Sequence, residues 1–586
     1  MCGILFVKYK HSKNHEYLNS FFEIESNKYL KTRGPTYQDL FKCDSFFAYQ
    51  SVLAIQSNEK KSNTLPLIGS KNFLLYNGEI FGLSKSRDIS DTDYLNNVLF
   101  KEKDLEESIS KLDGMFIISK FIRTNTKDIN ANIYRDPIGE KHLWYFFDNE
   151  IFIISSVPAI ITSYLRYKNK LQINKEVIED YLVRRHLISP EEHSFKGIKQ
   201  LKPGHKLIFK SEDWFLKEKK YFNYEKLFSE SLYEELSNIS QQEFNERFLK
   251  LINQTIELME DCRPINNVSS SIVSGGFDSS IVSAFLYEQN KNRDLYTMIF
   301  DKKDPVAINV PNLLKSRSID LLKCHKQISC KVEDYHKRLL RTIDILSSPI
   351  NTHSIPSAYL VAEKASDDKN IILYGGEGAD EVFLGYDSYN NFDNISSKYN
   401  QLNNNFNFDK ELKKRVQNNK IEKYIFDLKS NFYNFLDETN LMNQRDSKIK
   451  AESFVDIIVQ LSNVGLITTD TTNSDLGIES RTPFTRRKMV EFGISSPVNK
   501  LIDFSNSKPI NKIPIRNAFK TYFSEDLIMQ KIGFAGFPNE TKKFLGDSKN
   551  WLVWDHLSWQ NSKLKKMNLA EEWKIINLEW FLRKFD

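Results

Sequence analysis

An apolar run leads directly into a Gly-Gly turn at Ser271-Ile272-Val273-Ser274-Gly275-Gly276-Phe277-Asp278-Ser279-Ser280, and a helical pattern resumes from about Ser279. A strand that feeds straight into a helix implies an α/β unit, because the chain then regains the same sheet by a parallel crossover. The two glycines let backbone N–H groups approach an anion, and Ser274, Ser279 and Ser280 place hydroxyls at the positive end of the next helix. This segment reads as a phosphate cradle. It is not a Walker A loop, since no Lys-Ser or Lys-Thr follows the glycines at the required spacing. About a hundred residues on, Ile371-Ile372-Leu373-Tyr374 runs into Gly375-Gly376-Glu377-Gly378-Ala379-Asp380-Glu381, a second strand ending in a Gly-rich turn, this time acidic. Two acids near phosphates suit Mg²⁺, and Asp278 with Asp380 is the predicted pair.

The chain start carries different chemistry. Once Met1 is trimmed, Cys2 becomes the first residue, and its α-amino group, with a pKa near ~7.7–8.0, can take the thiol proton. Tyr76-Asn77-Gly78-Glu79 follows a strand-like run, so the Asn77 amide and the Gly78 N–H could converge on the oxyanion of a tetrahedral intermediate. Glu79 would then face the substrate's amino group.

At 586 residues the chain exceeds one hydrophobic core. Its 82 basic and 77 acidic residues leave a formal charge of only +5, with no basic block to track phosphates, so nucleic acid is not an expected partner. Five cysteines, an odd count, fit reduced thiols in a cytoplasmic protein. No uncharged apolar run approaches the ~18 residues that would suggest a membrane span. Short strand-like runs dominate residues 1–210, a charged stretch over 211–242 reads as a linker, and helix and strand patterns alternate from 243 to 586. Residues 388–450 read as a helical insertion. Five of the seven tryptophans fall in the C-terminal stretch at helical spacing, which predicts a packed helical cap.

These motifs have company. Arg33-Gly34-Pro35, Ser90-Asp91-Thr92-Asp93, Leu112-Asp113-Gly114-Met115-Phe116, Arg135-Asp136-Pro137-Ile138-Gly139-Glu140-Lys141 and Pro203-Gly204-His205 complete the pattern of the first half, which resembles a class II glutamine amidotransferase domain. The second half, with Gly477-Ile478-Glu479-Ser480-Arg481-Thr482-Pro483-Phe484 and Gln530-Lys531-Ile532-Gly533-Phe534, resembles the ATP-pyrophosphatase domain of glutamine-dependent asparagine synthetases. The resemblance implies an α+β N-terminal-nucleophile sandwich (αββα) followed by a parallel-sheet α/β domain. It implies Cys2 as nucleophile, Asn77 and Gly78 as oxyanion hole, and Glu79 with Asp91 as ligands of the glutamine amino group. It further implies ATP and Mg²⁺, the Ser274-Gly275-Gly276 and Asp278-Ser279-Ser280 segment at pyrophosphate, Glu377 near the reacting carboxyl or ammonia, and Lys531 neutralising the adenylate.

Aspartate is the default acceptor by this resemblance. The same chemistry on another carboxylate, such as a uronic acid of a surface polysaccharide, and a regulatory relative without activity are the alternatives. Oligomeric state stays open, a homodimer included. Four departures from the family pattern stand out: Val52-Leu53-Ala54-Ile55 has no arginine for the glutamine carboxylate, Thr36 replaces an aspartate, Met529 replaces an arginine, and Thr485-Arg486 stands where Leu-Asp is common.

Overall fold

The computed structural model describes residues 2–11, 15–55, 72–82, 90–97, 99–101, 103–125, 127–184, 186–187, 189, 191–262, 269–291, 293–300, 304–390, 412, 414, 416, 420–505, 507–527, 536–558, 564–565 and 567–585. In the first half, apolar residues at every second position build two antiparallel sheets. One contains β1 (Cys2–Tyr9), β2 (Tyr37–Lys42), β3 (Phe46–Val52), β7 (Trp144–Phe147), β8 (Ile151–Ser155) and β9 (Lys199–Gln200), in the order β2-β3-β1-β8-β7-β9. The other contains β4 (Asn72–Phe81), β5 (Asp113–Arg123), β6 (Ile129–Arg135), β10 (His205–Lys210) and β11 (Phe215–Lys220), in the order β11-β10-β6-β5-β4.

Ile4 and Phe6 of β1 face Phe73, Leu75 and Phe121 of the second sheet, with the Phe6 and Phe121 ring centroids 4.3 Å apart. The alternate residues Leu5 and Val7 pack outward against the helices Glu16–Tyr29 and Pro158–Tyr167. Leu74 and Tyr76 face the other way, toward Leu95 and Ile109 of the short helices Asp91–Asn97 and Leu105–Ser110. Period-two alternation thus produces the expected αββα layering. Within the stretch read as a linker, Phe215–Lys220 is an edge strand paired with β10. Its exposed lysines protect that edge from further pairing, and their charge gave it the look of a connector.

The second half is built on a five-stranded parallel sheet of β12 (Ser270–Ile272), β13 (Leu295–Ile299), β14 (His325–Ser329), β15 (Ile372–Tyr374) and β16 (Glu479–Arg481), in the order β14-β13-β12-β15-β16. The order reverses between β12 and β15, and a crevice outside the carboxyl ends of such strands is where ligands bind in open α/β sheets. Of the residues read as an insertion, the described ones include the helix Lys420–Glu438. One long helix, Gln444–Ser474, is apolar and long enough to cross a membrane by length and composition, but 94% of its apolar window is buried inside the protein. It is a core helix, whose scattered polar residues hid it from a count of uncharged runs.

The C-terminal helix Leu569–Phe585 does more than cap the second half. Phe581 packs on Phe195 of the first half at 5.4 Å, and Asn577 Nδ2 donates to the Tyr181 hydroxyl at 2.6 Å. Of the C-terminal tryptophans, Trp559 lies outside the described residues and the other four are buried.

Charge also ties the halves together. Asp470 accepts Arg33 at 3.2 Å and Lys141 at 3.1 Å, all three side chains being almost fully buried. Burial alone would raise the Asp470 carboxyl, but the two cations outweigh it and hold it well below the ordinary carboxylate range. Its contribution to stability is therefore complete above an unfolded carboxylate's pKa of ~3.9 and is lost as pH falls toward the folded value. Asp470→Asn strands two buried cations, and is expected to lower stability by about 3–5 kcal/mol in urea titrations at neutral pH.

Candidate active site

Cys2 opens β1 directly opposite Val52 of β3, and is 6% exposed. Its backbone N–H donates to Asn77 Oδ1 at 2.9 Å. That bond fixes the Asn77 amide, and its Nδ2, fully buried, has no hydrogen-bond partner among the described residues. A buried, uncommitted donor beside a thiol is costly to a fold and is suited to receiving an oxyanion. Gly78 has φ +153°, and a Cβ there would run into the Met115 carbonyl, so only glycine fits the close β4–β5 approach. Burial pushes the Cys2 thiol up, partly offset by hydrogen bonds involving the Leu53 backbone and the Gln50 amide.

Asp91 begins the helix Asp91–Asn97, and its Oδ2 accepts the Tyr76 hydroxyl at 3.1 Å and the Ile80 N–H at 3.0 Å. These bonds draw Asp91 against the Asn77-Gly78-Glu79 strand, where Glu79 is also buried. The structure thus assembles Cys2, Asn77, Gly78, Glu79 and Asp91. Val52 is buried and apolar, so it supplies no charge to this pocket. If Asn77 serves as predicted, Asn77→Ala should lower the kcat of glutamine hydrolysis by about 10²–10³-fold, measured as glutamate release.

The second cluster forms where β12 and β15 end side by side. Gly275 takes the left-handed φ of +81° that the turn requires, and Ser274 and Ser279 pair through their hydroxyls at 2.9 Å. Gly276 caps the helix Phe277–Gln289 with no side-chain acceptor, leaving its N-terminal N–H groups for an anion. The Ser280 hydroxyl is buried and lacks a partner among the described residues. The acidic turn lies against this one: a Cβ on Gly376 would sit 2.9 Å from both Asp278 Cβ and Ser279 N. An uncapped helix start, a glycine-lined turn and the unpartnered Ser280 hydroxyl fit a nucleotide's phosphates.

Asp278 and Asp380 do converge, and between them lies a group the sequence reading missed. Lys512 Nζ is 2.7 Å from Asp278 Oδ2 and 2.7 Å from Asp380 Oδ1. Burial opposes its charge, yet the two carboxylates outweigh burial and hold the ammonium above a lysine's ordinary range. Lys512 adopts φ +57°, an uncommon conformation for a non-glycine residue, just before the helix Ile513–Tyr522. The one local hint was Pro514, which marks a helix start and so a lysine poised at its entrance. Two carboxylate oxygens suit Mg²⁺ carried by phosphates, and no cluster of three or more candidate ligands exists among the described residues.

Glu377 Oε2 is sealed from solvent without a partner among the described residues, and burial, then the Asp278 carboxylate, raises its carboxyl. Lys531 and Met529 lie outside the described residues. Thr485 and Arg486 are both buried, and Arg486 turns toward the first half, pairing with Glu140 and, at 3.4 Å, Asp113. This departure from the family pattern therefore lies in the seam between the halves, where Glu140 and Asp113 compensate it.

Comparison with known proteins finds a family model for each half of the chain. The family model "Asparagine synthase" matches residues 267–571, just over half of the chain, and the model "Glutamine amidotransferase domain" matches residues 1–222. Asparagine synthetase [glutamine-hydrolyzing] 1 of Bacillus subtilis is 24% identical over 407 residues, covering 66% of this chain and 59% of the relative. The asparagine synthetases [glutamine-hydrolyzing] of Rattus norvegicus and Homo sapiens are each 24% identical over 342 residues, covering 54% of this chain and 54% of theirs. The chain thus spans between half and two thirds of the length of these relatives. With one family model over most of its second half and the other over its first, this chain belongs to the glutamine-dependent asparagine synthetase family.

Proposed function

We propose that the protein is an ATP-dependent amidotransferase that hydrolyses glutamine at Cys2 and delivers the ammonia to an adenylated carboxylate, with aspartate the default acceptor. One observation carries this reading. The seam between the halves holds a partly open cavity of about 10 Å³ with Met115, Glu140 and Lys141 on one side and Leu466, Thr469 and Thr482 on the other. A void of that size holds about one water-sized molecule, and ammonia is such a molecule. Shelter between the two sites matters because ammonia released into water at neutral pH is mostly protonated and no longer a nucleophile.

At the first site, the N-terminal amine of processed Cys2, held by Asn77 Oδ1, takes the thiol proton, and the sulfur attacks the side-chain amide carbon of glutamine. Asn77 Nδ2 and the Gly78 N–H receive the oxyanion, Glu79 and Asp91 hold the substrate's ammonium, and ammonia leaves. Water then cleaves the thioester to glutamate. At the second site the Ser274–Ser280 turn binds ATP phosphates while an acceptor carboxylate oxygen attacks the α-phosphorus and pyrophosphate departs. Lys512 neutralises the charge that develops there, with Lys531 as a second cation. Mg²⁺, when bound, would supply further charge neutralisation, with Asp278 and Asp380 as its protein ligands. Glu377, kept basic enough by its raised pKa, takes the proton ammonia loses as it attacks the acyl-adenylate, and AMP leaves.

The test is a screen of acids for glutamine-dependent pyrophosphate release with Mg-ATP, including aspartate and a uronic acid. Aspartate should stimulate release most. Stimulation by other acids only would displace aspartate, and stimulation by none would remove the enzyme reading.

A further inference from the structure

A second cavity lies in the same seam, apart from the one around Met115 and Lys141. Its volume is about 20 Å³, room for one or two molecules the size of water. Three side-chain amides that line it are almost completely buried: Gln200 is 1% exposed, Asn351 6% and Asn463 3%. Gln200 Nε2, Asn351 Oδ1 and Asn463 Oδ1 have no hydrogen-bond partner among the described residues. Both asparagine amides are oriented by other bonds. Asn351 Nδ2 donates to the Asn463 carbonyl, and Asn463 Nδ2 donates to the Val459 carbonyl at 2.8 Å. Each Oδ1 is thereby left as an acceptor, so the unpartnered amide atoms of the lining residues are one donor, Gln200 Nε2, and two acceptors.

That set matches a neutral molecule which accepts one hydrogen bond and donates at least two. Ammonia does so, and its lone pair can meet Gln200 Nε2. An ammonium ion has no lone pair for that donor. The remaining wall includes apolar surface from Trp144 and Ile467. Partly buried Leu187 and Glu192 form the solvent side, where the Glu192 carboxylate lies 3.7 Å from the Lys199 ammonium.

Position links this cavity to the other. Asn463 belongs to a π-helical stretch, Asp456–Leu466, and Ile467 follows it. Leu466, Thr469 and Asp470, interleaved with Ile467 along the same helix, line the first cavity. The two cavities thus share one short helical segment as their partition, and π-helical turns are common at functional positions.

We propose that this second cavity binds neutral ammonia from solution and admits it to the synthetase half without passage by Cys2. The inference rests on the amidotransferase reading above. An ammonium ion reaching the rim leaves its proton in bulk water, only NH₃ enters, and no other bond changes.

The experiment uses the full chain carrying Gln200→Leu, which removes the donor, and Ile467→Trp, which fills the cavity. Pyrophosphate release is followed with Mg-ATP and the best acceptor of the screen, supplied either with ammonium chloride or with glutamine. Urea titration confirms that each variant is folded, and Gln200→Leu, the milder change, stands by itself if Ile467→Trp is not. The KM for ammonium should rise tenfold or more, while kcat and KM with glutamine stay within twofold. An unchanged ammonium KM would show that the cavity holds only water and overturn the proposal. Equal losses with both nitrogen sources would overturn it too, because the residues would then serve a shared step. Wild-type protein that uses glutamine but not ammonium removes the port and leaves the parent reading standing. Wild-type protein that releases pyrophosphate with neither source removes both.

Discussion

Cys2→Ala should lower glutamine-supported pyrophosphate release by about 10⁴-fold or more, while release supported by ammonium chloride stays within a few-fold of wild type. The asymmetry follows from the fold. Cys2 belongs to β1 of the antiparallel half, whereas the phosphate turn and the acidic turn belong to a separate parallel sheet. Removing one sulfur leaves Asn77, Gly78 and both turns of the other half in place, so only nitrogen release is lost. Paired assays of glutamate and pyrophosphate would check this, and loss of neither activity would end the case for the first site. The pH profile adds a second check. Burial keeps the Cys2 thiol above its ordinary range, so the thiolate fraction, and with it the glutamine-dependent rate, should climb as pH rises through neutrality and beyond. Ammonium-supported turnover also climbs with pH when plotted against total ammonium, but should flatten when plotted against NH₃.

Lys512→Met is the complementary case, with an expected loss of about 10²–10³-fold in pyrophosphate release from either nitrogen source and little change in glutamine hydrolysis. Methionine keeps the length of the side chain and removes the ammonium, so Asp278 and Asp380 then face one another without the cation that now lies 2.7 Å from each. Two carboxylates brought together this way push one of their pKa values up. The variant's residual ammonium-supported activity, plotted against NH₃, should therefore depend on pH across a range where the wild type is flat. Glutaminase activity measured on the same preparation distinguishes a lost reaction group from a lost fold.

Much of this was legible before any coordinates. The strand run at β4, the Gly-Gly turn after β12 and the acidic turn after β15 are local patterns that form where the residues predicted them, except that β4 continues through Asn77, Gly78 and Glu79 to Phe81. Asn77, Gly78, Glu79 and Asp91 are near neighbours in the chain, whereas Cys2 reaches Asn77 from 75 residues away and from the other sheet, so only the packing of the two sheets completes the site. The bridge between the halves at Asp470, the role of Phe215–Lys220 as a sheet edge, and the turn of Arg486 toward Glu140 were not legible. The Asp470 bridge and the Arg486 turn depend on partners distant in the chain, and the lysines of Phe215–Lys220, although paired with the neighbouring strand β10, resemble any solvated ones when read by themselves.

The residues themselves determined where strands hand over to helices, which turns demand glycine, and that a cysteine begins the first strand, because backbone sterics and side-chain period act over a few neighbouring positions. Only the tertiary structure decided that β12 and β15 are adjacent, that Lys512 closes the gap between acids that lie 234 and 132 residues before it, and that the two halves leave partly open cavities along their seam. Strand order and charge pairing at that separation are set by how whole sheets and helices bury their apolar faces against one another. No local window of sequence carries that information.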